Sequence, residues 1–156
     1  MSLEIHPTTN LMNVTYTDPY SAGKKSMRDL QISFNQRIFA AGSKRLATFK
    51  RGDYVIICAT EGSIRKCFVA QIVEKMEEAF TNWHEEGGRV WDYNFTIVPL
   101  TGITDITPRS DIRNHMEYLL EDTGLKKTTL FNSRFCSKKL LSGLCRLMDE
   151  GMFNPL

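Results

Sequence analysis

The chain has 156 residues, enough to bury a hydrophobic core as one domain spanning 1–156. Its 42% hydrophobic and 24% charged fractions are those of an ordinary soluble globular protein, and no apolar run approaches the roughly 18 residues needed to cross a bilayer, so a helical membrane span is excluded. The net charge of +2 by itself decides neither for nor against a nucleic-acid partner. The first residues, Met1-Ser2-Leu3-Glu4-Ile5-His6, hold no basic stretch followed by an apolar one, so the expected location is cytoplasmic.

Residues 1–10 are polar and read as loose. Leu11–Thr17 reads as a first strand, and Asp18-Pro19-Tyr20-Ser21-Ala22-Gly23 as a turn. From Ser26, a candidate cap, Met27, Leu30, Phe34 and Ile38 recur at spacings of three and four, the pattern of a helix. Ser43–Lys50 is a second, short helical stretch. Arg51-Gly52-Asp53 then turns the chain into Tyr54–Ala59, which is apolar at every position. Glu61-Gly62-Ser63 signals a hairpin, with Arg65–Val73 as the returning strand. A strand apolar on both faces in a small protein predicts a closed or strongly curled sheet flanked by helices.

The glutamate-rich piece Glu74–Glu86 leads to a strand over Val90–Leu100. Its residues Trp91, Tyr93, Phe95 and Ile97 share one face, because strand side chains alternate with period two. Thr107-Pro108-Arg109-Ser110-Asp111 starts a helix with Ile112, Met116, Leu119 and Leu120 as its apolar stripe, ending at Gly124. Asn132 or Ser133 caps a last helix with Cys136, Leu140, Leu144, Leu147 and Met148 on its apolar side, closed by Gly151. The expected class is therefore α+β: a small curled barrel with helices around it and a C-terminal helical extension over 108–151.

Chemistry-bearing motifs are few. The chain has no Gly-x-Ser-x-Gly elbow, phosphate-binding loop or dinucleotide glycine fingerprint, so the expectation is a protein that is not an enzyme and needs no cofactor. Of His6, His84 and His115, only His84, between Trp83 and Glu85, has a setting that suits a site, and one histidine without a placed partner defines no mechanism. Cys58, Cys67, Cys136 and Cys145 form no Cys-x-x-Cys pair. Cys58 and Cys67 flank the hairpin turn and are placed to lie opposite one another as buried reduced thiols. No ligand spacing supports a metal site.

Binding is better supported. Two or three aromatic rings sandwich a nucleobase, each stack contributing roughly 1–3 kcal/mol. Core packing is the competing account of Trp91, Tyr93 and Phe95, whereas Trp83, in a polar Asn-Trp-His-Glu-Glu stretch, is less easily explained by packing. Asn82 and Asn94 are candidates for reading a base edge. Basic residues are segregated from acidic ones: Lys44, Arg45, Lys50 and Arg51 in one cluster, Arg134 and Lys138 in another, and Glu74, Glu77, Glu78, Glu85 and Glu86 elsewhere. Segregation of this kind builds a positive face suited to phosphates, which supply affinity with little sequence information.

Two stretches resemble known families. Arg37–Gly42, Lys44-Arg45-Leu46 and Phe49-Lys50-Arg51-Gly52-Asp53-Tyr54-Val55-Ile56-Ile57 resemble the EVE family, with its Lys-x-Gly-Asp turn into a core strand. Trp83 through Gly87-Gly88 to Trp91-Asp92-Tyr93-Asn94-Phe95 resembles the loop and strand of YTH domains. Both families belong to the PUA-like superfamily of small barrels, and the resemblance covers 11–107. It implies a non-enzymatic reader of DNA or RNA that holds one flipped or unpaired, modified base in an aromatic cage. Trp83 matches the cage tryptophan; Phe39 falls near a second wall that is usually tryptophan; Trp91 or Phe95 supplies another. Lys44, Arg45, Lys50 and Arg51 match a basic segment. The alternative is a protein-interaction module, such as a phage or mobile-element accessory protein, using the same fold without base recognition.

Overall fold

The computed structural model describes residues 3–16, 24–78, 91–107, 115, 118–121 and 138–156, with the side chains of 24–26 and 138–140 excepted. Within these, the chain forms strand β1 (Leu11–Tyr16), helix α1 (Lys24–Gln36), β2 (Ile38–Ala41), a 3-10 helix (Lys44–Thr48), β3 (Tyr54–Glu61), β4 (Ile64–Met76), β5 (Tyr93–Pro99), β6 (Thr104–Asp105) and helix α2 (Lys138–Asp149). The strands make one mixed sheet in the order β1-β3-β4-β5-β2, with β6 beside β4.

The hairpin expected at Glu61-Gly62-Ser63 is the spine of the sheet. Gly62 has φ 59°, and Glu61 pairs with Ile64 across a two-residue turn. A positive φ at the first central position suits the right-handed twist of a hairpin and favours glycine there. β4 runs past Val73 into the glutamate-rich piece and ends at Met76, three residues beyond the expected strand. Its register to β5 slips at Val73, between the pairs Ile72–Ile97 and Glu74–Thr96. An extra residue on one strand bends it and steepens the local twist. Only β1 and β3 run parallel, joined through α1, β2 and the 3-10 helix.

The sheet curls into a half-barrel. Tyr16 on β1 and Phe39 on β2, from opposite edges of the strand order, approach to 6.3 Å between ring centroids. Helix α1 lies across β3 and reaches both edge strands. Leu30 is buried there, Phe34 meets Phe68 edge-on at 5.3 Å, and the fully buried Ser33 hydroxyl hydrogen-bonds the Tyr16 hydroxyl at 2.7 Å. The expected curled α+β architecture is thus present as a half-barrel with its helices packed on it.

Both faces of the sheet are buried, as the apolar run Tyr54–Ala59 predicts. Val55, Ile57 and Ala59 point into the concave cluster with Leu30, Phe39, Leu46, Phe68 and Phe95. Tyr54, Ile56 and Cys58 point the other way, into a second cluster with Cys67, Val69, Leu119, Leu120, Leu141, Leu144 and Leu147. Burying a Leu, Ile, Val or Phe side chain contributes about 1.5–3 kcal/mol, so the α2 leucines are part of the sheet's stability.

Several expectations are corrected. Ile38 is not the last turn of α1 but the first residue of β2: Arg37 adopts φ 58°, the left-handed conformation that ends a helix and redirects the chain. The short helical stretch expected within Ser43–Lys50 is present as a five-residue 3-10 helix, Lys44–Thr48, anchored by the fully buried Leu46. The described part of the N-terminal segment is ordered by contacts: Leu3 joins the second cluster, and the Glu4 backbone donates to and accepts from the Tyr54 hydroxyl, both at 3.0 Å. β6 has no sequence signal. In the helix expected from Thr107, Tyr118–Leu120 are helical, with Leu119 and Leu120 buried as expected. Ile112, Met116, Gly124, Asn132, Ser133 and Cys136 lie outside the described residues. No described helix is long and apolar enough to cross a membrane.

Candidate nucleic-acid interface

The antiparallel pairing of β2 with β5 brings the aromatic strand and the basic segment together. Phe39 pairs with Phe95, Ala40 with Asn94, and Ala41 with Tyr93. Just outside this ladder, Gly42 meets Trp91. A Cβ added to Gly42 would lie 3.4 Å from Cε3 of the indole and 3.6 Å from Cζ3. The indole therefore lies within van der Waals contact of a side chain placed at Gly42. Asn94 Nδ2 donates to the Trp91 carbonyl at 2.8 Å and pins the backbone at the strand entrance.

The four residues expected on one face grade from core to surface. Ile97 and Phe95 are buried; Tyr93 and Trp91 are half-buried. Phe39 and Phe95 are both 0% exposed and stack on one another, centroids 6.0 Å apart and planes 17° from parallel. The cage role expected of these two is corrected on this point: their rings are internal to the concave core and present no surface to a ligand. Directly opposed strand positions with curled-sheet packing on top leave no other place for them. Asn94 is likewise redirected: it is 3% exposed and its amide serves the Trp91 backbone, so a base edge is not within its reach.

Trp91 keeps an exposed share of its surface, and the basic segment lies just beyond Gly42 in the chain. Lys44 and Arg45 are exposed on the 3-10 helix. Lys75, on the end of β4 that the sequence predicts as a linker, reaches the same place. Its Nζ donates to Ala47 O at 2.9 Å and lies 5.6 Å from the centroid of the Tyr93 ring. A cation over a tyrosine face is favoured by about 0.5–1 kcal/mol at an exposed site. Sequence reasoning misses Lys75 because Glu74, Glu77 and Glu78 around it mask its charge; the signal that finds it is the period-two register of a strand continued through Val73. Asp92, also exposed, adds one negative charge beside Trp91.

Lys50 and Arg51 have different surroundings. Lys50 Nζ donates to Thr8 O at 2.7 Å and pairs with Asp53 at 3.3 Å. Asp53, 1% exposed, also accepts from the backbone N–H groups of Asn10 and Lys50 and from Asn10 Nδ2, each at 2.9 Å. The Lys-x-Gly-Asp turn is thus a structural clasp that ties the N-terminal segment to the start of β3, and Gly52 at φ 93° gives it its bend. Lys50 closes that clasp from a half-exposed position, and Arg51 is exposed in the turn. Asn82, Trp83, His84 and Arg134 lie outside the described residues, as does the side chain of Lys138. Among the described residues, no three His, Cys, Asp or Glu side chains gather where a metal ion would sit.

No protein-family model matches this chain, and a comparison with curated proteins finds no match. What stands is the class defined by the structure itself: a small α+β domain whose curled sheet encloses a buried aromatic cluster, an architecture compatible with a small binding domain.

Proposed function

We propose that this chain is a PUA-like domain of the EVE/YTH kind that binds nucleic acid without catalysing a reaction and holds one flipped or unpaired, modified base. The observation that carries the reading is the half-buried Trp91 indole, seated on Gly42 with Lys44 and Arg45 close behind in the chain. A flat ring fixed at its edge offers a stacking platform worth roughly 1–3 kcal/mol per base, and neighbouring cations hold the phosphates on either side. With Phe39 and Phe95 in the core, the second wall falls to Trp83. It belongs to the segment between β4 and β5, whose ends meet at the Met76–Asn94 pair beside Trp91. DNA and RNA are both accommodated by this chemistry.

The test is a binding screen with oligonucleotides carrying single modified bases, in single- and double-stranded form. Trp91→Ala should weaken binding by about 5- to 150-fold, the equivalent of 1–3 kcal/mol, while the circular dichroism spectrum stays that of the folded protein. Replacing Lys44 and Arg45 by glutamine should lower the slope of log affinity against log salt by roughly 0.7–0.9 for each phosphate no longer neutralised. Equal binding by wild type and Trp91→Ala would sink the stacking role. Absence of any oligonucleotide binding at low salt would favour the protein-interaction reading instead.

A further inference from the structure

The second face of the sheet carries a polar cluster that the binding site does not use. Cys58 on β3 and Cys67 on β4 are direct partners in the ladder, and both are free thiols with 0% exposure. Counted from the closing pair Glu61–Ile64, the Cys58–Cys67 pair falls at a position without mutual backbone hydrogen bonds. Cα atoms in such pairs approach to about 4.5 Å, and side chains there come closest. That separation lies inside the span of about 4.4–6.8 Å that a disulfide bridges.

The surroundings of the two sulfurs differ. The Cys67 thiol hydrogen-bonds Cys58, and Arg65 brings positive charge to it, its Nη2 held at 3.3 Å by Thr15 Oγ1 on β1. Asn13 Oδ1 accepts from Cys58 Sγ at 3.5 Å, while Asn13 Nδ2, buried, has no hydrogen-bond partner among the described residues. Turning that amide by half a revolution would give a Cys58 thiolate a donor and relieve the stranded N–H. The hydrogen bond from Cys67, with help from Arg65, holds the Cys58 thiol below its ordinary value despite burial. Burial pushes the Cys67 thiol well up, and its bond to Cys58 adds to that. Asn13 stands beside Cys58, which marks Cys58 as the sulfur to attack and Cys67 as the one to follow.

We propose that Cys58 and Cys67 are a peroxide-reactive dithiol that closes into a cross-strand disulfide between β3 and β4. The Cys58 thiolate attacks one oxygen of hydrogen peroxide. The O–O bond breaks, hydroxide leaves and takes up a proton as water, and Cys58 carries a sulfenic acid. Cys67 then gives up its proton and its sulfur attacks Cys58 Sγ. The S–O bond breaks and a second water leaves. The two thiols are oxidised by two electrons and one peroxide is reduced to two waters. The site favours an oxidant of about the size of water, because both sulfurs are enclosed. Access runs through local opening at the hairpin end, where Gly62, Ser63 and Ile64 are exposed and the two-residue β6 is the neighbour of β4.

The test treats the native full chain with hydrogen peroxide, then alkylates it in denaturant and maps peptides without reduction. The expected product is lighter by two hydrogens and contains one linked peptide pair joining Cys58 to Cys67, reversed by dithiothreitol. Alkylatable thiols fall from the chain's four to two. Cys67→Ser should stall at a sulfenic acid on Cys58 that dimedone traps; Cys58→Ser should leave Cys67 unlabelled. If either variant fails to fold, the wild-type map decides alone. The proposal is overturned if Cys58 and Cys67 both remain alkylatable once peroxide has oxidised the half-buried Cys145, or if dimedone labels Cys67 in place of Cys58.

Discussion

Single polar groups held by several partners give the sharpest expectations. The Tyr54 hydroxyl donates to Glu4 O and accepts from Glu4 N–H, with Gln71 Nε2 at 3.3 Å. Burial raises its phenol above the ordinary value of about 10, since the phenolate would lose its hydration. A group with a raised folded-state pKa contributes stability that is complete below the unfolded value and is lost as pH climbs through the folded one. Tyr54→Phe should therefore cost about 1–2 kcal/mol at neutral pH through the stranded Glu4 groups, and the gap to wild type should narrow above about pH 10. Urea unfolding at stepped pH checks this; a gap that stays constant to strongly alkaline pH contradicts it. Lys50 offers a second expectation. Because its ammonium closes the clasp on Asp53 from a half-exposed position, Lys50→Gln should lower stability by roughly 0.5–1 kcal/mol and leave the affinity for oligonucleotides unchanged. A drop in affinity equal to that of the Lys44 and Arg45 replacements would return Lys50 to the phosphate-binding set.

At the scale of elements, the junctions between strands carry more information than the strands. Between β5 and β6, Thr101 Oγ1 accepts from Val69 N–H at 3.1 Å, so the ladder partner that the kink removes is replaced by a side chain. Gly102 in the same kink donates to Asn154 O at 2.8 Å, and Asn154 returns hydrogen bonds to Thr104 Oγ1 and Ile103 O. A Cβ on Gly102 would lie 2.6 Å from the Pro155 carbonyl, a backbone atom that cannot swing aside. Gly102→Ala should cost about 1–3 kcal/mol and release the tail that buries Phe153. Hydrogen exchange of 152–156 should then speed up selectively; unchanged protection would show that the tail is held by Phe153 alone. The strands themselves are legible in the sequence, because Leu11–Tyr16, Tyr54–Glu61 and Tyr93–Pro99 alternate or are apolar throughout most of their length. The end of α1 is not, because Ile38 continues a helical spacing and only the left-handed Arg37 shows where the helix stops.

Across the whole molecule, one sheet serves two cores. Val55 and Ile57 belong to the concave cluster and Ile56 and Cys58 to the other, so β3 couples them residue by residue. Helix α2 is for this reason not an appendage. Leu144 is fully buried against the second face, and Leu144→Ala should cost about 2–5 kcal/mol. Thermal unfolding should remain a single transition at a lower midpoint, followed equally by tryptophan fluorescence and far-UV circular dichroism. Two separate transitions would mean that the C-terminal helix and the half-barrel fold independently. The same coupling bears on the binding site: Phe95 is buried in the concave cluster and Tyr93 packs against it, so the strand that Trp91 leads into is held by that core.

The sequence by itself determined the period of β1, β3 and β5, the hairpin at Gly62, the double-faced burial of β3 and the facing pair of thiols, because these follow from local alternation and turn chemistry. The tertiary structure alone decided which aromatics are core and which reach the surface. Trp91, Tyr93, Phe95 and Ile97 share one face by period, but only the opposite strand, the helix above it and the curl of the sheet set how deep each lies. It also placed Lys50 in the clasp with Thr8 and Asp53, a role that its charge along the chain does not show.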